Sequence, residues 1–376
     1  MKLIREILYK VDINRVFGNT SLSIEKVEFD SRLVTSSDMY VAINGVNVNG
    51  HDYISQAIEN GAKCIICEEM PEDKIDDIVY INVPCSREAL AIICSNYFDN
   101  PSSKLNLVGV TGTNGKTTIT TLLFELYKNL GIKSGLISTV KIVIDKDEYE
   151  ANQTTPDSLS INRYLNEMVL KNVRYCFMEV SSHGIDQKRI TGLAFAGAVF
   201  SNLTHDHLDY HASFKHYRDT KKKLFDSINK NGFALTNIDD KNGRLMLQNC
   251  RAKKQTYAMH QYAEFKVKVC LLMHWNRYMQ RLVVFFFGLS LVCVQAGDVP
   301  SSVMFWRYSV SGSCQEQGMA KFNFPAQIVL QERSRGARYG GESGASKLEM
   351  SRVGLGQRNT WRSSFATSTA WVARRR

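Results

Sequence analysis

Apolar and polar positions along this chain change period repeatedly, and each change marks an element. SIEKVEFDSR (residues 23–32) and DMYVAI (38–43) predict strands, and YISQAIENGA (53–62) has helical spacing closed by Gly61. AKCIICEE (62–69), with the apolar run CIIC at its centre, predicts another strand. Ser86 is expected to cap a helix, REALAIICSNYF, that stops ahead of Pro101. Asn100-Pro101-Ser102-Ser103 reads as a linker. A second series then begins: strand LNLVGV (105–110), a glycine-rich turn and helix KTTITTLLFELYKNLG (116–131). A helix from Ser158 to about Lys171, strands RYCFMEV and AFAGAVFSNL, helix SFKHYRDTKKKLFDSIN and strand GFALTN follow. Strands alternating with helices predict an α/β fold with a parallel sheet covered on both faces. The expected domains are 1–100 and 104–260. Beyond about residue 260 no repeat or alternation is visible.

Composition sharpens that last boundary. With 376 residues, 44% hydrophobic and 22% charged, wholesale disorder and collagen-like classes are excluded. The net charge of +10 would suggest a nucleic-acid or membrane partner, but residues 1–260 hold 31 basic and 31 acidic side chains. The whole excess therefore lies in residues 261–376, together with all four Trp. It describes a basic tail, and no nucleic-acid partner is expected for the body. The nine Cys are scattered, and Cys64 and Cys67 would face opposite sides of a strand, as core thiols in a reducing compartment. MKLIREILYKVDI lacks the apolar core of a signal peptide. The longest apolar run, Leu282 to Ala296, has 15 residues, short of the ~20 needed to span a bilayer. A cytoplasmic protein without a membrane span is expected.

Candidate chemistry concentrates behind predicted strands. Gly112-Thr113-Asn114-Gly115-Lys116-Thr117-Thr118 follows an apolar strand and opens a long helix. Gly109 stands one residue further from Gly115 than the usual GxxxxGK[ST] phosphate loop requires. The physics is the same: glycines let backbone N–H groups and a helix N-terminus face an anion. Lys116 can reach the β- and γ-phosphates and the Thr117 hydroxyl can ligate Mg²⁺, which predicts an ATP site. Glu179 ends a mostly apolar strand on the same sheet edge, so it is a candidate Mg²⁺ ligand, with a solvent-facing strand-end carboxylate as the alternative. Ser181-Ser182-His183-Gly184 add polar groups there. Thr204 to His211 contains three His and two Asp. A zinc site is one reading and a single His assisting Mg²⁺ another, the second favoured because no Cys is near. In the triplet Lys221-Lys222-Lys223 the pattern alone selects no functional lysine.

GVTGTNGKTT, QTTPDSL, MEVSSHGIDQKRI, FSNLTHDHLDYH and YRDTKKKLF, in this order and spacing, resemble the Mur ligases of peptidoglycan synthesis, and most closely their MurE branch. FDSRLVTSSDMYVAINGVNVNGHDYISQAIENGA resembles the uridine-nucleotide domain of that branch. The resemblance covers residues 20–257. It implies an N-terminal α/β uridine-nucleotide domain and a central ATP-binding domain. The activity it implies is ATP-dependent addition of the third amino acid, meso-diaminopimelate or L-lysine, to UDP-N-acetylmuramoyl-L-Ala-D-Glu through an acyl phosphate. Ser31, Val46, Asn47 and Val48 would contact the uridine diphosphate. Gln153 (often Asn in the family), Thr154, Thr155, Ser181, Gln187 and Arg189 would bind the sugar peptide. Glu179 and His207 would hold Mg²⁺ with Thr117. Lys221 would carry a CO₂-derived carbamate as a further Mg²⁺ ligand.

Past about Lys268 the resemblance ends. The PLxGxFNxxN segment, the DNPR-type motif and the C-terminal Rossmann-like ligase domain are not recognisable. The FN pair in Met319–Phe324 stands in the wrong context. The expectation for 261–376 is an out-of-frame, foreign or disordered tail behind a shortened central domain. The alternative to a working ligase is accordingly a nucleotide- and UDP-sugar-binding remnant.

Overall fold

A computed structural model describes residues 1–45, 48–204, 206 and 210–266, with the backbone of strands 302–307 and 327–332. The N-terminal part runs β1 (Lys2–Leu3), α1 (Ile4–Ile7), β2 (Arg15–Phe17), β3 (Ser23–Ile24), β4 (Val27–Glu28) and β5 (Met39–Val41). It continues with α2 (Ile54–Glu59), β6 (Cys64–Cys67), β7 (Val79–Asn82) and α3 (Ser86–Tyr97). Its main sheet has the order β2-β7-β6-β5-β4, parallel except where β2 joins β7. Cys64 and Cys67 point into opposite apolar clusters, as strand alternation requires. Both are free thiols, and burial pushes Cys67 up to about 11.

Ser86 is not the cap that its type predicts. It is the first residue of α3, behind Cys85, and its N–H donates to Glu68 Oε1 at 2.7 Å. A carboxylate from the end of β6 satisfies that helix terminus, a partner 18 residues away in sequence. The segment 100–103 is likewise packed: Pro101 and Ser102 are buried in a short 3₁₀ turn, and Ala194 N donates to Ser102 Oγ.

The central part comprises β8 (Asn106–Thr111), α4 (Lys116–Asn129), β9 (Ser134–Ile137), β10 (Lys141–Ile144), β11 (Asp147–Glu150), α5 (Ser158–Leu170) and β12 (Tyr175–Glu179). Then come α6 (Ser182–Asp186), β13 (Phe195–Phe200), α7 (Phe214–Asp226), β14 (Phe233–Asn237), α8 (Gly243–Met246), β15 (Lys253–Ala258) and β16 (Phe265–Lys266). Among the described residues these strands form one nine-stranded sheet, β11-β10-β9-β12-β8-β13-β14-β15-β16. From β9 to β16 the sheet is parallel, and β10 and β11 add an antiparallel edge.

Alternation explains the continuous apolar runs. Leu107, Cys176, Met178, Ala198 and Phe200 face one core with Leu165, Met168, Leu224 and Phe225. Val108, Val110, Phe177 and Val199 face the other with Ile119, Leu123 and Phe124 of α4. Buried on both faces, these strands lack a polar side. Order also extends past residue 260: β16 pairs with β15, and β17 (Ser302–Arg307) pairs antiparallel with β18 (Gln327–Glu332).

Candidate functional site

β8 sits between β12 and β13, and all three deliver their C-terminal ends to one edge, the edge where ligands lie in open α/β sheets. Behind β8 the chain turns through Gly112 (φ 149°) and Gly115 (φ 87°). A Cβ on Gly112 would lie 2.0 Å from Ser201 Oγ, so only glycine lets the loop approach β13. Gly115 caps α4 without a side chain, leaving the N–H groups of the first turn at the positive end of a 14-residue helix. Lys116 folds back over the loop, Nζ donating to Gly112 O (3.0 Å) and Thr113 O (2.9 Å). Burial lowers its pKa, while Glu179 and Asp206 work against the shift.

Glu179 pairs in register with Val110, which sets the end of β12 against the end of β8. It is fully buried, unlike the solvent-facing alternative. Its carboxylate accepts from Thr117 Oγ1 (3.0 Å), Thr139 N (2.8 Å) and Thr139 Oγ1 (3.2 Å). Thr139 Oγ1 also lies 3.2 Å from Thr154 Oγ1. Thr155 Oγ1 donates to Glu179 O and accepts from Ser181 N, both at 3.0 Å. Ser181 in turn caps α6 through Gly184 N. Arg189 closes this side: it donates to Thr155 O (2.6 Å), to Gln187 Oε1 and to Gln153 Oε1.

The lysine triplet is separated by its environment. Lys221 is 1% exposed, donates to Gly112 O at 3.0 Å and lies 4.7 Å from the Tyr217 ring centroid. Lys222 is paired with Asp226 and Lys223 is exposed. Desolvation, then the neighbouring Lys116 charge, hold Lys221 well below an ordinary lysine pKa. Tyr217 OH lies 3.1 Å from Thr113 Oγ1, so α7 reaches the loop twice. His211 is buried near His183, His216 and Tyr217, and desolvation lowers its pKa.

The structure thus gathers the loop 112–118, Glu179, Lys221, Gln153, Thr154, Thr155, Ser181, Gln187 and Arg189 at one sheet edge. Ser31 belongs to the N-terminal layer, its hydroxyl donating to Gln56 Oε1 (2.9 Å) and its carbonyl accepting from Asn60 Nδ2 (2.9 Å). Val48 is exposed and accepts from Gly45 N. Val46, Asn47 and His207 lie outside the described residues. Among the described residues no three His, Cys, Asp or Glu side chains group as a metal holder. Sequence reasoning missed Thr139, which the sheet order brings beside Glu179, and Asn202, which braces the loop. The buried carboxylate and the Thr117 hydroxyl beside the glycine loop are hard oxygen donors, the kind Mg²⁺ takes.

Two family models match the chain: the Mur ligase family catalytic domain over residues 23–98 and the Mur ligase middle domain over 110–285. The second match reaches beyond the residues whose motifs are readable by eye, a correction to the limit near Lys268. A UDP-N-acetylmuramoyl-L-alanyl-D-glutamate–2,6-diaminopimelate ligase of Cytophaga hutchinsonii is 49% identical over 267 residues, 71% of this chain and 55% of that protein. The Bacteroides fragilis ligase of the same name is 48% identical over 269 residues, 72% of this chain and 55% of its own length. A solved structure of a ligase so named superposes with a TM-score of 0.60 at 25% identity, covering 70% of this chain and 54% of that one. The chain spans about half the length of the curated relatives it matches. Through these two stretches, with their loop, strand order and buried carboxylate, the chain belongs to the Mur ligase family.

Proposed function

We propose that this protein is an ATP-dependent ligase of peptidoglycan precursor synthesis. It joins 2,6-diaminopimelate to UDP-N-acetylmuramoyl-L-Ala-D-Glu, forming ADP and phosphate. The observation that carries the reading is the convergence of Lys116, Lys221 and Glu179 on one glycine loop. The amino-acid substrate is taken from the names of the relatives.

A carboxylate is a poor electrophile at neutral pH, so the γ-phosphoryl group of ATP is transferred to it first. The Lys116 ammonium and the N–H groups of α4 offset the charge crowding as two anions meet. The acyl phosphate is attacked by the amino group, a tetrahedral intermediate forms, and phosphate leaves. Thr117, Glu179, His207 and Lys221, the last as a carbamate, would hold Mg²⁺, which neutralises phosphate charge when bound. Lys221 suits carbamate formation because its buried amine is held towards the neutral, CO₂-reactive form. Arg189, with Gln153, Gln187, Thr154, Thr155 and Ser181, orients the sugar peptide. Ser31 and the loop Val46-Asn47-Val48 hold the uridine diphosphate. The domains follow the same division, with 1–100 for the uridine nucleotide and 104–260 for ATP. Among the described residues no helix is long and apolar enough to cross a membrane, and the reaction uses cytoplasmic substrates.

Incubation with UDP-N-acetylmuramoyl-L-Ala-D-Glu, ATP, Mg²⁺ and diaminopimelate should release ADP and phosphate only when the amino acid is present. Lys116→Ala should abolish both that release and ATP binding. Nucleotide binding without amino-acid-dependent phosphate release would overturn the ligase reading in favour of a binding remnant.

A further inference from the structure

The glycine loop is held in shape by a residue outside it. Asn202 lies two positions beyond the end of β13, and its side-chain amide forms a two-bond ring with the backbone of Asn114. Asn114 N–H donates to Asn202 Oδ1 at 3.0 Å, and Asn202 Nδ2 donates to Asn114 O at 3.1 Å. The Asn202 backbone carbonyl accepts from Thr113 N at 2.8 Å. Ser201 Oγ adds a donor to Asn114 O at 2.7 Å. The corner carrying these groups is itself fixed, because Asn237 Nδ2 donates to Ser201 O (3.0 Å) and Leu203 N donates to Asp240 Oδ2 (2.7 Å). Gly112 is what permits the approach: a Cβ there would lie 3.1 Å from Asn202 N and 2.0 Å from Ser201 Oγ.

We infer that Asn202 is a positioning residue for the nucleotide phosphates. This rests on the proposed ATP role of the loop and goes beyond it. A glycine-rich loop has wide conformational freedom, so an anion that must order it binds more weakly. Asn202 removes that freedom before the nucleotide arrives. It also decides which amides remain for the anion. The Thr113 and Asn114 N–H groups are committed to the β13 corner, so phosphate is left with Lys116 Nζ and the first-turn amides of α4.

The test uses the full chain and its Asn202→Ala and Asn202→Asp variants, with ADP titrated by calorimetry and amide exchange followed at Thr113 and Asn114. In Asn202→Ala the Asn114 amide should exchange about tenfold faster or more, while Thr113, bonded to the residue-202 backbone, stays slow. ADP affinity should fall about tenfold, as the loss of two hydrogen bonds implies. A merely structural role would expose both amides together. Asn202→Asp keeps the acceptor for Asn114 N–H but sets an oxygen against Asn114 O, so it should keep the exchange protection and still weaken ADP. It decides the matter if the alanine variant does not fold. ADP affinity within twofold of wild type in a folded variant would overturn the proposal. If wild type itself fails to bind ADP, the ATP reading of the loop fails instead, while amide exchange still tests the clamp.

Discussion

Replacing Lys221 by methionine removes a buried amine and leaves a side chain of nearly the same length. The lysine is 1% exposed, makes a hydrogen bond of 3.0 Å to Gly112 O and faces the Tyr217 ring at 4.7 Å. For the protonated amine, losing the charged hydrogen bond costs about 1.5–3 kcal/mol, and losing the ring contact about 0.5–2 kcal/mol. Relief from desolvation opposes both, so at neutral pH the net change should stay within about 2 kcal/mol. The pH dependence is the sharper quantity. Burial lowers the folded-state pKa, whereas the unfolded lysine titrates near about 10.4. Below the folded value both states hold the proton, and the buried charge weighs fully on the fold. Between the two values the unfolded state binds more protons, so wild-type stability rises with pH by up to about 1.4 kcal/mol per unit. Above the unfolded value the penalty is gone. Urea unfolding of both proteins in bicarbonate-free buffer, from about pH 7 to about pH 9.5, should show the wild type gaining on Lys221→Met with that sign. Parallel stability curves would refute the reasoning.

Glu179→Gln preserves volume and an acceptor for Thr139 N–H, so stability should change by about 1–2 kcal/mol while Mg²⁺ stimulation of ADP binding falls at least about tenfold. Calorimetry with and without Mg²⁺ reads it, and intact stimulation would remove Glu179 from the proposed metal site. Gly112→Ala should destabilise by more than about 2 kcal/mol in urea unfolding, because its Cβ meets Ser201 Oγ at 2.0 Å and its φ of 149° strains any larger residue. A neutral result would mean that the β13 corner yields easily. Arg189→Met should weaken binding of UDP-N-acetylmuramoyl-L-Ala-D-Glu about tenfold and leave ADP affinity unchanged. Equal losses for both ligands would point to a general collapse of the site.

The parallel sheet was readable because its central strands are buried on both faces, so LNLVGV and RYCFMEV are mostly apolar and do not alternate with polar residues. β11 was invisible for the opposite reason: DEYE is exposed along its whole length and is held by pairing to β10, not by burial. Thr139 gave no signal, since only the order β9-β12-β8 brings it to Glu179, 40 residues on. Glu68 capping α3 is the same kind of long-range partner. Lys221 was more legible than the triplet suggested. Tyr217, Lys221, Leu224 and Phe225 share one face of α7 and all are buried, so the helical phase already set this lysine in the apolar stripe. The motifs located the loop and its acidic neighbour, but the braces around them come from side chains that no short pattern records.

The placement of β8 has a consequence for how a ligand meets this protein. A strand hydrogen-bonded along both edges, and packed above and below, is among the last parts of a fold to open during native fluctuations. The glycine loop, the proposed phosphate site, hangs from that strand. Ligand-free and ligand-bound forms should therefore share one loop geometry, and differences between nucleotides should show in how fast they leave more than in how fast they arrive. The proposed recognition edge is slung from a strand paired and packed on every side, so selectivity there should work by fit to a standing shape.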